Sequence, residues 1–402
     1  MSSSKSGLSS MRLKRLHDAA RRAVEAGEVA GAITLIHRHG ETVVDIAGLK
    51  DRERGHKLER DSIFRIASMT KPITAAAAMI LVEEGRLRLD EPVDRLLPEL
   101  ADRQVLKSLD GPLDDTVPAN RAITLRDLLT FRLGFGMVMG PGDAPIQKAM
   151  AEHQIMGLKP PTPHAPDAWM KRLGALPLMH QPGERWMYHT GSDVLGVLIA
   201  RASGMGLEAF LKERIFEPLG MKDTGFHVAA KKLGRLTSCY SINPQTGAME
   251  LYDDAEASQW ASPPVFPMGG GGLVSTVDDY LAFGKMMLNH GKLGKERILS
   301  RPTVAAMTTD QLTPEQKAAS PFFPGFWDSR GWGFGVSMVT RRDSVSASPG
   351  RFGWDGAFGT SWASDPAEDM VCILMIQRMG FGPSPAGLNS DFWTLAYQTI
   401  DD

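Results

Sequence analysis

The chain is poor in cysteine, in long apolar runs and in excess charge of either sign. Two cysteines, Cys239 and Cys372, occur in 402 residues. They lie far apart, and Cys372 stands in an apolar strand-like run, so a disulfide framework is excluded and reduced structural thiols are expected. The longest apolar stretches, residues 75–82 and 370–376, are far shorter than the roughly 20 residues a bilayer-spanning helix needs. Net charge is −2, from 45 basic and 47 acidic residues, which gives no electrostatic reason to expect a nucleic-acid partner. At the N-terminus Lys5, Arg12, Lys14, Arg15, Arg21 and Arg22 are followed by no apolar segment. Leu13, Leu16, Ala20 and Val24 instead recur at helical spacing, an amphipathic helix over about 10–26 closed by Gly27 and not a secretion signal. A cytoplasmic protein with no membrane partner is the expectation.

Several motifs are missing too. The glycines 269–272 lack the lysine and spacing of a phosphate loop and read as a tight backbone turn. No Gly-x-Ser-x-Gly elbow exists; Gly359-Thr360-Ser361-Trp362-Ala363 ends in alanine. Ten histidines are present, none in a context that marks a base, which counts against a Ser-His-Asp triad. No metal and no cofactor are expected.

What is present is a large core. The chain is 43% hydrophobic, enough for more than one domain-sized unit. After the first helix, runs 30–37 and 41–48 joined by Arg38-His39-Gly40 read as a hairpin. From about 87 to 290 the patterns are mostly helical. Thr124 and Thr276 each stand three residues before an aspartate, as helix caps do, and 194–202 and 207–216 are further helical stretches. Strand signals return at 332–340, 352–363 and 370–377, followed by a helix around 391–400. Strands at both ends with helices between them suggest a discontinuous sheet-plus-helix domain, 1–86 and 292–402, and an inserted helical domain, 87–291. Within the latter, 133–182 is rich in Gly, Pro, Met and Trp, a loop-rich insert of the kind that covers a site.

Three segments carry candidate chemistry. Ser68-Met69-Thr70-Lys71 opens a helical pattern, and spacing of three puts a hydroxyl and an amine on one face. Pro72 is tolerated only near a helix start, so Ser68 lies in or just before the first turn. The same spacing recurs at Ser2-Ser3-Ser4-Lys5 without a helix behind it, and by itself the motif reads equally as a helix start with a solvated lysine. Tyr188 follows Pro182-Gly183-Glu184 and precedes a helix; it is either a phenol whose anion a lysine ammonium favours, able to accept the serine proton, or a tyrosine packed at a domain junction. The strand-like Gly353-Trp354-Asp355-Gly356-Ala357-Phe358-Gly359 is either a backbone edge offering an N–H to an oxyanion or a glycine-rich hairpin. The aromatic stretch 322–327, with Trp332 and Phe334, reads equally as pocket wall and as core.

In this order the segments resemble the serine β-lactamase and penicillin-binding superfamily, most closely class C β-lactamases and family VIII carboxylesterases. The resemblance runs from about Leu16 to the last helix and includes 64–72, 183–196 and 269–279. It implies an α+β fold, an antiparallel sheet flanked by helices with an inserted helical domain. It implies Ser68 as acylated nucleophile, Lys71 as its proton partner, Tyr188 as general base, and the backbone N–H groups of Ser68 and Ala357 as oxyanion hole. Trp354, Asp355, Gly356 and Thr190 fall at substrate-contacting positions. Two departures bear on the substrate. The family's lactamases carry Lys-Thr-Gly where this chain has Trp354-Asp355-Gly356, and an asparagine where it has Thr190. Tryptophan cannot hold a substrate carboxylate as that lysine does, and it resembles the esterase branch. A serine carboxylesterase acting on short-chain or small aromatic esters is the leading expectation. A β-lactamase or D-alanyl peptidase, an acyltransferase and a silent binding protein are the rivals; the last is disfavoured by retention of Ser68, Lys71 and Tyr188 together.

Overall fold

The computed structural model describes residues 6–139, 142–157, 159, 161–320, 322–380 and 387–402. The second Ser-x-x-Lys copy, Ser2–Lys5, lies outside them.

The expected helix-flanked antiparallel sheet is found. Its strands are β1 (Gly31–Arg38), β2 (Glu41–Asp51), β3 (His56–Lys57), β4 (Arg330–Trp332), β5 (Ser337–Val339), β6 (Phe352–Asp355), β7 (Ser361–Asp365) and β8 (Met370–Ile376). Their spatial order is β4-β5-β6-β7-β8-β1-β2-β3. The seam between the chain's two ends is β1 against β8, in register from Ala32 opposite Ile376 to Arg38 opposite Met370. Both strands are buried along their whole length, which is why they read as continuous apolar runs and not as alternating ones. The expected run 332–340 is broken into β4 and β5 by the turn at Gly333–Val336, and 352–363 into β6 and β7 by a turn at Gly356–Gly359.

Helix α1 (Ser10–Glu25) packs its apolar stripe on the sheet beside α5 (Leu388–Tyr397), three residues earlier than the pattern placed it. The ends of the described chain meet there: Ser9 N–H donates to the Thr399 carbonyl at 2.8 Å. On the opposite side lies α2 (Thr70–Glu83), buried on all faces from Thr70 to Leu81. Its alanines 75–78 let neighbours approach closely; the Cα of Gly335 lies so near that an added Cβ would stand 2.5 Å from the Cβ of Ala75. Helix α3 (Thr190–Ser203) packs against α2, and α4 (Val277–Leu288) against β7 and β8. Thr124 and Thr276 cap their helices as the sequence suggests, each accepting from the N–H of the aspartate three residues on. Segment 87–291 also contains two hairpins that the helical patterning hid, Gln104–Leu106 with Thr116–Pro118 and Cys239–Ile242 with Met249–Asp253. Residues 207–216 form a helix over Leu207–Leu211 that widens into a π-turn over Lys212–Phe216.

Both cysteines are free and buried, and burial pushes each thiol up to about 12. Among the described residues no single helix is long and apolar enough to cross a membrane.

Candidate active site

Residues 67–69 form one 3₁₀ turn that runs into α2. Ala67 holds φ +41°, in the left-handed region that L-residues avoid, and this bend sets Ser68 at the head of a buried helix. The turn is braced by the end of β6. Gly356 lies so close that a Cβ there would stand 2.3 Å from the Ile66 carbonyl oxygen and 2.3 Å from Thr360 Oγ1. Only glycine fits, and its fit carries the following residue, Ala357, up to the Ser68 turn. The Ser68 turn at the helix start and the strand end that leads to Ala357 are thus neighbours, and the helix dipole favours negative charge at this point.

The side chains converge in the same place. Lys71 is fully buried in the first turn of α2, three residues on from Ser68, and its Nζ lies 2.9 Å from Ser68 Oγ. It also donates to the Gly270 carbonyl, so the 269–272 glycines form the tight turn expected of them and present an acceptor to the amine. Tyr188 lies against them, its ring centroid 4.6 Å from Lys71 Nζ and its hydroxyl near enough to Ser68 for the serine to favour ionisation of the phenol. Trp354 Nε1 donates to Tyr188 Oη at 2.7 Å.

Burial dominates the protonation of both partners. It brings the Lys71 ammonium down to about 7, with Asp193 opposing. It raises the Tyr188 phenol well above its ordinary value, outweighing the hydrogen bonds from Ser68 and Trp354. Burial thus works against the stabilised phenolate: removing a lone phenolate from water costs more than a neighbouring amine near its own midpoint returns, and the same burial favours the neutral amine of Lys71.

The surroundings of Tyr188 are aromatic. Its ring lies 5.9 Å from Phe131, 5.7 Å from Trp186, 5.3 Å from Phe322 and 5.6 Å from Trp354, and Trp332 meets Trp354 edge-on at 4.7 Å. The stretch 322–327 thus joins one cluster with Tyr188, part core and part wall. The insert 133–182 begins directly alongside, where Met137 N–H donates to the Tyr188 carbonyl at 2.8 Å.

The remaining sequence candidates separate. Asp355, on the opposite face of β6 from Trp354, is exposed and hydrogen-bonded to Ser361 Oγ, yet near enough to oppose ionisation of Tyr188. Gly356 serves the backbone fit described above. Thr190 is buried in the first turn of α3, and its hydroxyl has no partner among the described residues. Among those residues no three His, Cys, Asp or Glu side chains converge as a metal site would require.

Two groups in the cluster were not singled out by sequence. His189 Nδ1 lies 3.2 Å from Lys71 Nζ, and His189 Nε2 lies 3.1 Å from Asp193 Oδ2. His189 holds φ +85° and ψ −67°, and Thr190 N–H reaches back to the Tyr188 carbonyl at 3.3 Å. This is a γ-turn of the rare, strained hand, costing of order 1–3 kcal/mol. A signal did exist: a histidine just ahead of a helix and an aspartate four residues on share one face.

Comparison with known proteins places this architecture. A family model described as Beta-lactamase matches residues 16–390. The chain belongs to the beta-lactamase family. Within it, Protein Rv1367c of Mycobacterium tuberculosis is 40% identical over 369 residues, covering 89% of this chain and 88% of that protein. Esterase EstB of Burkholderia gladioli is 30% identical over 373 residues, covering 88% and 87%. The LovD6 mutant of simvastatin synthase from Aspergillus terreus superposes with a TM-score of 0.78 at 25% identity, covering 98% of this chain and 95% of that one. Membership carries the fold and the serine-hydrolase class. It leaves the substrate class to the side chains around Tyr188.

Proposed function

We propose that the protein hydrolyses neutral carboxylic esters through an acyl-enzyme on Ser68. The observation that carries this is the neutral indole of Trp354 at the place where the family's lactamases have a lysine. It hydrogen-bonds the phenol but offers no charge to a substrate carboxylate, and the nearby Asp355 repels one. The aromatic walls around it suit an uncharged acyl or alcohol group. The name of EstB, an esterase, agrees with this reading.

The chemistry follows from the proton inventory. With Lys71 neutral, the Ser68 proton passes to Nζ as Oγ attacks the ester carbonyl, and the N–H groups of Ser68 and Ala357 receive the oxyanion. Tyr188, still a phenol, gives its proton to the departing alkoxide. The phenolate so formed is held by the Trp354 N–H and the new Lys71 ammonium. In deacylation, water returns a proton to Tyr188 as it attacks, and Ser68 leaves with the proton from Lys71. An alcohol in place of water would give acyl transfer.

The test is turnover of p-nitrophenyl acetate, butyrate and octanoate against a chromogenic cephalosporin, in wild type and Ser68→Ala, with and without added alcohol. Ester turnover is expected to exceed cephalosporin turnover and to vanish in the variant. The reverse ratio would overturn the substrate class, and activity surviving Ser68→Ala would overturn the nucleophile.

A further inference from the structure

Directly behind Lys71 lie two buried ionisable groups that the steps above do not use. His189 Nδ1 faces Lys71 Nζ at 3.2 Å, and His189 Nε2 faces Asp193 Oδ2 at 3.1 Å. Asp193 Oδ1 accepts the Gly270 N–H at 2.8 Å, and the Gly270 carbonyl accepts from Lys71. The four groups close a ring wholly inside the protein. The charge acting on Lys71 is that of Asp193 on α3, and those acting on His189 are Lys71 and the same Asp193. Tyr188 adjoins them and feels Asp355 from the end of β6, while the 269–272 turn brings no titratable group.

The ring fixes hydrogen positions. The Asp193 carboxylate only accepts, so Nε2 of His189 carries the imidazole proton and Nδ1 presents a lone pair to Lys71. A neutral amine has two N–H bonds and one lone pair. The Gly270 carbonyl and His189 Nδ1, both acceptors, take the two N–H bonds. The lone pair is then left for the third neighbour, Ser68 Oγ, 2.9 Å away. Without His189 the amine head is free to rotate. The strained backbone at residue 189 fits such a role, because a glycine would relieve the strain and bring no ring.

We propose that His189, held in one tautomer by Asp193, is a positioning residue that aims the Lys71 lone pair at the Ser68 hydroxyl. The proposal rests on Lys71 being the base.

Asp193→Asn tests it most sharply. The amide oxygen must stay on the Gly270 N–H, which turns the amide NH₂ toward Nε2, forces the proton to Nδ1 and draws the lysine lone pair away from serine. For p-nitrophenyl butyrate, kcat is expected to fall about 100-fold or more with KM little changed. Loss of the carboxylate that supports the Lys71 ammonium also moves the acid limb of kcat/KM to lower pH. His189→Gly, which eases the backbone, is expected to lose as much, and His189→Asn, whose side-chain oxygen replaces the Nδ1 acceptor, to recover part of it.

Wild-type kcat in His189→Gly, or a loss in Asp193→Asn that is uniform across pH with the limb unmoved, would overturn the proposal. Lys71→Met, run in parallel, separates the two levels. If it is inactive while His189→Gly is fully active, only the positioning role fails; if it is active, the base assignment itself fails. Should Asp193→Asn not fold, the His189 pair decides.

Discussion

The indole nitrogen of Trp354 hydrogen-bonds the phenol oxygen of Tyr188 at 2.7 Å, so a neutral donor on the strand tunes the phenol that the proposed mechanism uses as acid. Trp354→Phe keeps the ring and removes the donor. The phenol becomes a weaker acid and its anion less stable, by about 1–1.5 kcal/mol or roughly tenfold in rate. The loss is expected to be larger for ethyl butyrate, whose alkoxide needs the proton, than for p-nitrophenyl butyrate, whose phenolate does not. Steady-state kcat for the two esters checks it; equal losses would mean Tyr188 is not the acid.

Lys71 links stability to pH with a definite sign. Its ammonium ordinarily titrates at 10.5, and burial brings it to about 7 in the folded protein. Below about 7 both states hold the proton and the contribution is constant. Between about 7 and 10.5 the unfolded chain holds it and the folded protein does not, so this contribution rises with pH by up to about 1.4 kcal/mol per unit. Urea unfolding of wild type minus Lys71→Met, followed from pH 7.5 to 9.5, is expected to show the wild type gaining. A flat difference would place the lysine at its ordinary value.

Arg65, three residues before Ser68, is buried against the equally buried Asp253, with Ser258 Oγ 2.9 Å from its Nη2. Lys159 reaches the same carboxylate at 3.0 Å from a half-exposed position. Arg65→Met strands a buried charge and is expected to cost about 3–5 kcal/mol, whereas Lys159→Met should cost no more than about 1 kcal/mol. Denaturant midpoints would show equal losses if the pair were not the anchor of that region.

Gly356→Ala forces the end of β6 away from the Ile66 carbonyl and the Thr360 hydroxyl. Because the same strand end carries Ala357, kcat is expected to fall about 100-fold, the scale of losing one oxyanion donor. Kinetics with thermal unfolding alongside checks that activity falls further than stability.

Much of this was legible in the chain because it depends on local spacing. Ser68 and Lys71 meet through one helical turn, Pro72 fixes where that turn begins, and the caps at Thr124 and Thr276 declare their helices. The β6 residues divided between two faces as strand alternation requires, Trp354 toward Tyr188 and Asp355 to solvent. What sequence hid depends on enclosure. Nothing local says that burial lifts Tyr188 and lowers Lys71, because burial is decided by helices that begin 120 residues apart, at Thr70 and Thr190. His189 gave a spacing signal with Asp193, but its meaning needed the lysine behind it. The hairpins in 87–291 were hidden because strands of three to five residues are too short for period two to stand out from helical patterning.

The seam between β1 and β8 has a consequence for biosynthesis. Ala32 is opposite Ile376, so about 344 residues must be made between one side of the pairing and the other. At roughly 5–20 residues per second the first hairpin waits about 20–70 s for its neighbour, its buried face without a cover. The strand end that braces Ser68 is made late as well. The nascent chain therefore carries Ser68 for most of its synthesis before the strand that braces it exists, and that interval is when it most needs protection from other unfolded chains.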